Sequence, residues 1–432
     1  MTTRFGGPPA DVAEVQGLYG AFTFSEKLLQ KIWLRRDFDA ASARTTDGRR
    51  IRIVHPGRWN LLGGPDFRGA RLRREDESEL VGDVELHLHA ADWDAHAHAQ
   101  DPAYDGVVLH VVLFEPEPGR VTRGADGRPI PVLVLLPLLH HSLEEHAIDE
   151  AVECLADRPT ARLANELMVY PPAQVARRLR TQAERRWRQK VRFARMRIER
   201  LGWENACHHA ALEVLGFRYN RAPMLRFATR WPLSAWANGD VSADEAFAHE
   251  ADAWSLQGVR PANQPRVRLR QYLAWVRSRP DWPARVAAAA ARLSPVGPEG
   301  ASRAARRLHH FGSVRDMLAD ELCAGTVEGS RFENLVCDAV FPLLAGWGRA
   351  APAASAPGFT PKPGIFAETP PAVLPDPFGW WFHWFCGDTP PFVLAGLRQL
   401  GVCDGREQPV CHGLAQGLLG WLIERDAGTL SS

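Results

Sequence analysis

Residues 64–89 read GPDFRGARLRREDESELVGDVELHLH. Two runs of strand-like composition, 67–73 and 80–89, flank the polar loop EDES, which is the pattern of a β-hairpin. In the second run side chains alternate between faces. Val84, Leu86 and Leu88 line one side, and Asp83, Glu85, His87 and His89 line the other. A solvent-exposed face of an antiparallel sheet looks the same. A turn centred on Asp76-Glu77 sets Asp66 opposite His87 and Arg68 opposite Glu85. Asp66 and Glu85 then project from one face, diagonal to each other and within reach of one hard divalent cation. The reading depends on register, because a slip of one residue turns Asp66 to the opposite face.

Outward from the hairpin, residues 24–38 place Leu28, Leu29, Ile32 and Trp33 at helical spacing. Residues 50–54 follow an Asp47-Gly48 turn, and 107–114 and 130–136 read as buried strands. One helix followed by about five strands makes a mixed α/β domain over 21–150. Beyond Pro171-Pro172 the pattern is helical. A long helix over 173–201 carries Val175, Leu179, Ala183, Trp187, Val191, Ala194, Ile198 and Leu201 on one stripe. Further helices are expected at 203–216, 222–237, 242–255, 266–278, 304–323 and 328–345, with a helix pair across 390–424. The division is a loose tail (1–20), the α/β domain (21–150), a basic helical domain (151–345), a Pro/Ala-rich linker (346–377) and an aromatic and helical segment (378–432). The fold class is α+β, a compact α/β core followed by a mostly helical region.

The chain has 432 residues, of which 45% are apolar and 24% charged, values of a folded protein and not of a disordered one. No apolar run is long enough to span a membrane. The opening MTTRFGGPPA lacks a charged region followed by an apolar stretch, so no secretory signal is expected. Seven scattered cysteines do not form a disulfide framework, and a cytoplasmic location is expected. The net charge of +1 conceals a strong segregation. Residues 1–158 carry 18 basic and 26 acidic side chains, a net of −8, and residues 159–230 carry 16 and 5, a net of +11. The remainder has a net of −2. Such a distribution suits either contact with nucleic acid or attraction between two parts of one chain.

Two further groups carry chemistry. His87-x-His89 and His96-x-His98, followed by Asp101, supply imidazole and carboxylate ligands for Zn²⁺ or Mn²⁺, and H-x-H on a strand sets both rings on one face. The helix at 173–201 bears eleven basic residues against Glu184 and Glu199. Arg178, Arg185, Arg188, Arg192 and Arg195 on it are candidates for tracking phosphates of DNA or RNA. A solvated or internally docked face is the alternative. The Trp380–Phe385 block reads as core, and Cys403 and Cys411 as structural or free thiols. No P-loop, dinucleotide fingerprint or nucleophile elbow stands at a strand–helix junction.

The segments TTDGRRIRIVHPGRWN (45–60), GPDFRGARL (64–72), GDVELHLHAADWDAHAHAQDPAYDGVVLHVV (82–112) and RRWRQKVRFARMRIERLGWENACHHAALEVLGFRYNRAPM (185–224) recur in this order in a bacterial family defined as a domain of unknown function, which the chain resembles to about residue 240. Its core also resembles PD-(D/E)XK nucleases, with Pro65-Asp66 and Glu85 as they stand. That resemblance implies that Asp66 and Glu85 bind Mg²⁺ or Mn²⁺, that a carboxylate on the preceding helix, here Glu26, assists, and that His87 stands where a Lys is expected. A neutral imidazole accepts a proton or binds metal but supplies no fixed charge.

The expected function is therefore metal-dependent phosphodiester hydrolysis on DNA or RNA, with Asp66, Glu85, His87 and Glu26 in the site. Two alternatives stand beside it. One is an inactive protein of nuclease fold that only binds, and the other is a metal-dependent hydrolase built on the histidines, with Zn²⁺ as its metal. The sequence leaves the oligomeric state open.

Overall fold

The short strands β1 (Glu14–Gln16) and β2 (Thr23–Ser25) pair antiparallel and lead into helix α1 (Glu26–Arg35). The Ser25 side chain accepts from the Leu28 backbone N–H at 3.3 Å and caps the helix, and Arg36 in the left-handed region ends it. Leu28, Leu29, Ile32 and Trp33 are all buried, as their spacing predicts. These features come from a computed structural model that describes residues 14–16, 23–61, 63–156, 165–217, 220–256, 259–347 and 376–430. The expected tail (1–20) and linker (346–377) lie almost wholly outside the described residues. The chain divides into two compact units, Met1–Glu150 and Ala151–Ser432.

The first unit is built on a six-stranded mixed sheet of β3 (Ile51–His55), β4 (Arg58–Trp59), β5 (Phe67–Arg74), β6 (Glu79–His87), β7 (Val107–Val112) and β8 (Val132–Val134). The order is β3-β5-β6-β7-β8, and β4 also pairs with β5. The strands up to β6 are antiparallel, while β6, β7 and β8 run parallel. Parallel neighbours need a crossover connection, here residues 88–106 with the short helix α2 (Asp92–Ala95). Helix α1 and the inner face of the sheet share one core, in which Leu29, Trp33, Phe67, Val84 and Leu109 are fully buried.

The hairpin forms as its composition predicts, but its register differs. Arg73 pairs with Glu79, Leu72 with Leu80 and Ala70 with Gly82, one residue short of the expected alignment. Continued unbroken, that alignment would turn Asp66 away from Glu85. A bulge intervenes between Ala70 and Phe67, and Phe67 pairs with Val84. Gly69 sits in the bulge at φ +66°, and its N–H donates to Asp83 Oδ1 at 2.9 Å. Asp66 therefore comes level with Glu85, and not with His87. The total shift of two residues preserves the face.

The alternative of a solvent-exposed polar face is corrected too. Glu85 is 5% exposed and His87 1%, because the crossover folds over that side of β6. Asp83 is half-buried and His89 is exposed.

The second unit is helical. Helix α3 (Leu143–Ala156) includes the residues at which the unit begins, and its longest element is α4 (Pro172–Gly216), interrupted by non-helical Gly202 at φ +76° where the sequence separates 173–201 from 203–216. The helix expected over 222–237 is two, Arg221–Arg230 and Leu233–Asn238, because Pro232 cannot continue the first. The one expected over 304–323 breaks at His310, in the left-handed region. Trp380, Trp381, Phe382 and Trp384 are core, at 2% exposure or less, and their indoles donate to Ser294 O, Cys337 O and Glu333 Oε2. Among the described residues the cysteines form no disulfide. Among the described residues no helix is long and apolar enough to cross a membrane.

Candidate metal centre

Where β5 ends, the backbone of β6 continues without a strand on that side, and carboxylates take the place of the missing partner. Asp66 Oδ2 accepts from the Leu86 N–H at 3.0 Å, and the Leu88 N–H donates to Glu26. In return the Asp66 N–H donates to Glu85 Oε2 at 3.0 Å. Gln30, one helical turn after Glu26, donates from Nε2 to Asp66 Oδ1 at 2.6 Å. The Trp59 indole donates to Gln30 Oε1 at 3.1 Å, which fixes the orientation of the Gln30 amide. Three carboxylates thus converge at one end of β6. Glu26 Oε1 is buried without a hydrogen-bond partner among the described residues, an uncommon condition for a carboxylate oxygen.

The crossover brings imidazoles to the same place. His87 Nε2 lies 3.1 Å from His96 Nδ1 and 3.2 Å from His98 Nε2. Glu85 Oε1 is 3.4 Å from His98 Nε2 and 3.6 Å from His87 Nε2. His96 and His98 are not on a strand, as the H-x-H argument supposed. Ala97, between them, takes a left-handed conformation at φ +57°, and that turn aims both rings inward. His98 stacks on Tyr104 with ring centroids 3.9 Å apart and meets Trp93 edge-on, while His96 is exposed and leaves the centre open on one side.

Behind His87 runs a buried relay. His87 Nδ1 is 2.9 Å from His110 Nε2, and His110 Nδ1 is 3.0 Å from Thr122 Oγ1. With His87 Nε2 serving as a lone-pair donor, Nδ1–H donates to His110, and His110 Nδ1–H donates to Thr122. One assignment of protons satisfies the whole chain.

Burial and crowding of like charges set the electrostatics. Burial pushes Glu85 up to about 8, with Glu26 adding to it, and pushes Asp66 up to about 7, with Glu85 adding to it. Glu26 is raised by burial and by Asp66. Burial and the neighbouring imidazoles drive His87 down to about 2 and His110 to about 3, so both rings are neutral, and the lone pairs that face the cluster, His87 Nε2 among them, stay available. A bound dication would reverse the repulsion among the carboxylates and use those lone pairs.

Hydrogen bonding alone does not account for the imidazoles. A ring nitrogen either donates one proton or accepts one in-plane bond, yet His87 Nε2 faces two other ring nitrogens at bonding distance. Around a tetrahedral ion with metal–nitrogen bonds of about 2.0–2.1 Å, neighbouring nitrogens lie about 3.3 Å apart, close to the spacing found. The ligand atoms of His87, His96 and His98 all fall within 4.8 Å of one another.

Asp66, Glu85, His87 and Glu26 are therefore brought together, as are His96 and His98. His89 is not. It points out of the cluster and stacks on Phe114 at 4.9 Å. Asp101 caps a turn by accepting from the Ala103 N–H at 2.9 Å. The arginines on α4 have partners within their own unit: Arg185 with Glu424 at 2.9 Å, Arg188 with Glu184 at 2.5 Å, Arg195 with Glu199 at 3.4 Å, and Arg178 over the Tyr170 ring. Arg192 lies on the same helix. Sequence reasoning missed Gln30, His110 and Thr122. Gln30 had a signal in its spacing of four from Glu26, and His110 in being the one polar residue of VVLHVV.

A family model described as a protein of unknown function (DUF2851) matches residues 26–248, more than half of the chain, and its span takes in every residue of the cluster. No curated protein and no solved structure matches the chain.

Proposed function

This chain belongs to the DUF2851 family of proteins of unknown function, and we propose that its N-terminal unit is a metal-dependent hydrolase whose substrates are phosphodiesters. The observation that carries the proposal is the convergence of His87, His96 and His98 nitrogens with the Glu85 carboxylate around one point, beside Asp66 and Glu26. The nuclease-like and histidine-cluster readings of the sequence then describe one centre. Asp66 immediately before β5, Glu85 on β6 and Glu26 on α1 are the carboxylates that the PD-(D/E)XK resemblance implies. His87, at the expected Lys position, becomes a ligand.

His87, His96, His98 and Glu85 would hold the ion. Imidazole-rich donor sets suit Zn²⁺ or Mn²⁺ better than Mg²⁺. Such an ion, when bound there, would acidify a bound water and neutralise charge on the phosphoryl oxygens. Asp66, held by Gln30 and Leu86, orients the water. Glu26 has a carboxylate oxygen free of donors and takes its proton. The exposed side at His96 admits the substrate.

Metal content after loading with Mn²⁺ or Zn²⁺, together with cleavage of DNA, RNA and a simple aryl phosphodiester, tests this. One ion per chain and hydrolysis lost in both Asp66→Ala and His87→Ala are expected. A protein that takes up no ion, or activity that survives both substitutions, overturns it.

A further inference from the structure

On β5 beyond the bulge, Arg71 and Arg73 have carboxylate partners, while Arg74 at its far end has none among the described residues. Arg71 meets Glu79 at 2.8 Å and Arg73 meets Glu77 at 3.4 Å. The two nearest the centre differ. Arg58 on β4 and Arg68 on β5 are directly paired across the strands and are both exposed. Among the described residues, neither has a carboxylate within ion-pair range. Like charges set opposite each other weaken a sheet, so this pair carries a local cost that its surroundings do not offset. Native chains break local rules of this kind chiefly at functional sites.

Position supplies the second argument. Phe67 is fully buried against the core, so Asp66 and Arg68 on either side of it face the other way, toward the side bearing Glu85. The Arg68 guanidinium donates to Gly63 O at 3.4 Å. It also lies 3.0 Å from where a Cβ on Gly64 would stand, and that point is 3.7 Å from the Ala103 side chain. The GGPD loop thus fills the space between Arg68 and the crossover that carries His96 and His98. Gly64, at φ +94°, has no side chain to displace the arginine.

We propose that Arg58 and Arg68 are a phosphate clamp that holds the backbone of a polynucleotide beside the diester at the metal centre. The proposal rests on the hydrolase reading above and narrows its substrate class. A small diester has one phosphate, which the metal centre takes. Two cations outside the centre find ligands only when the substrate carries more phosphates in series. Guanidinium groups match phosphate oxygens with paired N–H donors. The clamp lies in the acidic part of the chain, where the net charge gave no sign of it.

The test is fluorescence polarisation of a labelled single-stranded oligonucleotide with EDTA present, for the full-length protein and for the Arg58→Gln/Arg68→Gln variant, across a range of salt. Removing two phosphate contacts is expected to weaken binding about tenfold or more and to flatten the log–log salt slope by about 1.4. Thermal unfolding of the variant should occur no lower than that of the natural protein, since a repulsion is removed, and this separates a lost contact from a lost fold. Unchanged affinity and slope, or displacement of the oligonucleotide by polyglutamate at equal charge, overturns the clamp. Hydrolysis of bis(p-nitrophenyl) phosphate by the unsubstituted protein with Mn²⁺ reads the metal centre alone. Its absence alongside salt-sensitive oligonucleotide binding would count against the hydrolase reading and leave the clamp standing.

Discussion

His87 Nδ1 lies 2.9 Å from His110 Nε2, and this contact determines which nitrogen of His87 faces the cluster. Ligating imidazoles are commonly oriented by a partner on the other ring nitrogen, and the loss of such a partner costs about 10–100-fold in metal affinity. His110→Asn should therefore lower the affinity for Zn²⁺ or Mn²⁺ by that factor in competition with a chromophoric chelator. Undiminished affinity would mean that the relay to Thr122 has no part in holding the ring.

Glu85→Gln should have opposite effects on the two forms of the protein. In the metal-free form it removes one of three crowded buried carboxylates, while its amide oxygen can still accept from the Asp66 N–H. The melting temperature in EDTA should rise. The further rise on adding metal, a consequence of binding only the folded state, should shrink or vanish. A variant that melts lower in EDTA and gains as much from metal as the natural protein would contradict the assignment of Glu85 as a ligand.

The bulge at Gly69 sets the face of Asp66. Inserting one residue between Arg68 and Gly69 leaves the bulge in place and moves Asp66 on by one position, opposite Leu86, so that it turns toward the core. Metal binding should be lost. Gly69→Val, which forces a β-branched residue to φ +66°, should cost about 1–2 kcal/mol in chemical denaturation. An insertion variant that binds metal normally would show that the register does not aim the carboxylate.

Acid should destabilise the helical unit through His208. This ring is buried, with Nε2 at 2.9 Å from Trp231 O and Nδ1 at 2.6 Å from Tyr272 Oη, so a neutral ring donates to the carbonyl and accepts the tyrosine O–H. Burial lowers it to about 4 from 6.5. The unfolded chain takes up the proton first, so the penalty is absent above pH 6.5, grows as the pH falls, and is complete below pH 4. It amounts to about 3 kcal/mol. Urea denaturation followed by tryptophan fluorescence should show this loss, and His208→Gln should flatten the profile in that window. Equal pH slopes for the two proteins would rule the contribution out.

The sequence by itself determined the elements and the parity of the hairpin. Apolar spacing in α1 and alternation in β6 are properties of neighbouring residues, so Glu85 and His87 on one face, and the break at Gly202, could be read from local pattern. The pairing of Asp66 with Glu85 could not. It depends on a bulge whose position follows from how β5 packs against both β3 and β6. Nor does the pattern of DWDAHAHAQDPAY show that the segment is a crossover closing over β6, since that follows from β7 pairing parallel with β6. Tertiary structure alone therefore buried Glu85 and His87, admitted His96 and His98 to the cluster and left His89 outside it. Periodicity records which side a residue takes on its own strand. Which residues meet across that side is set by contacts between segments remote in the chain.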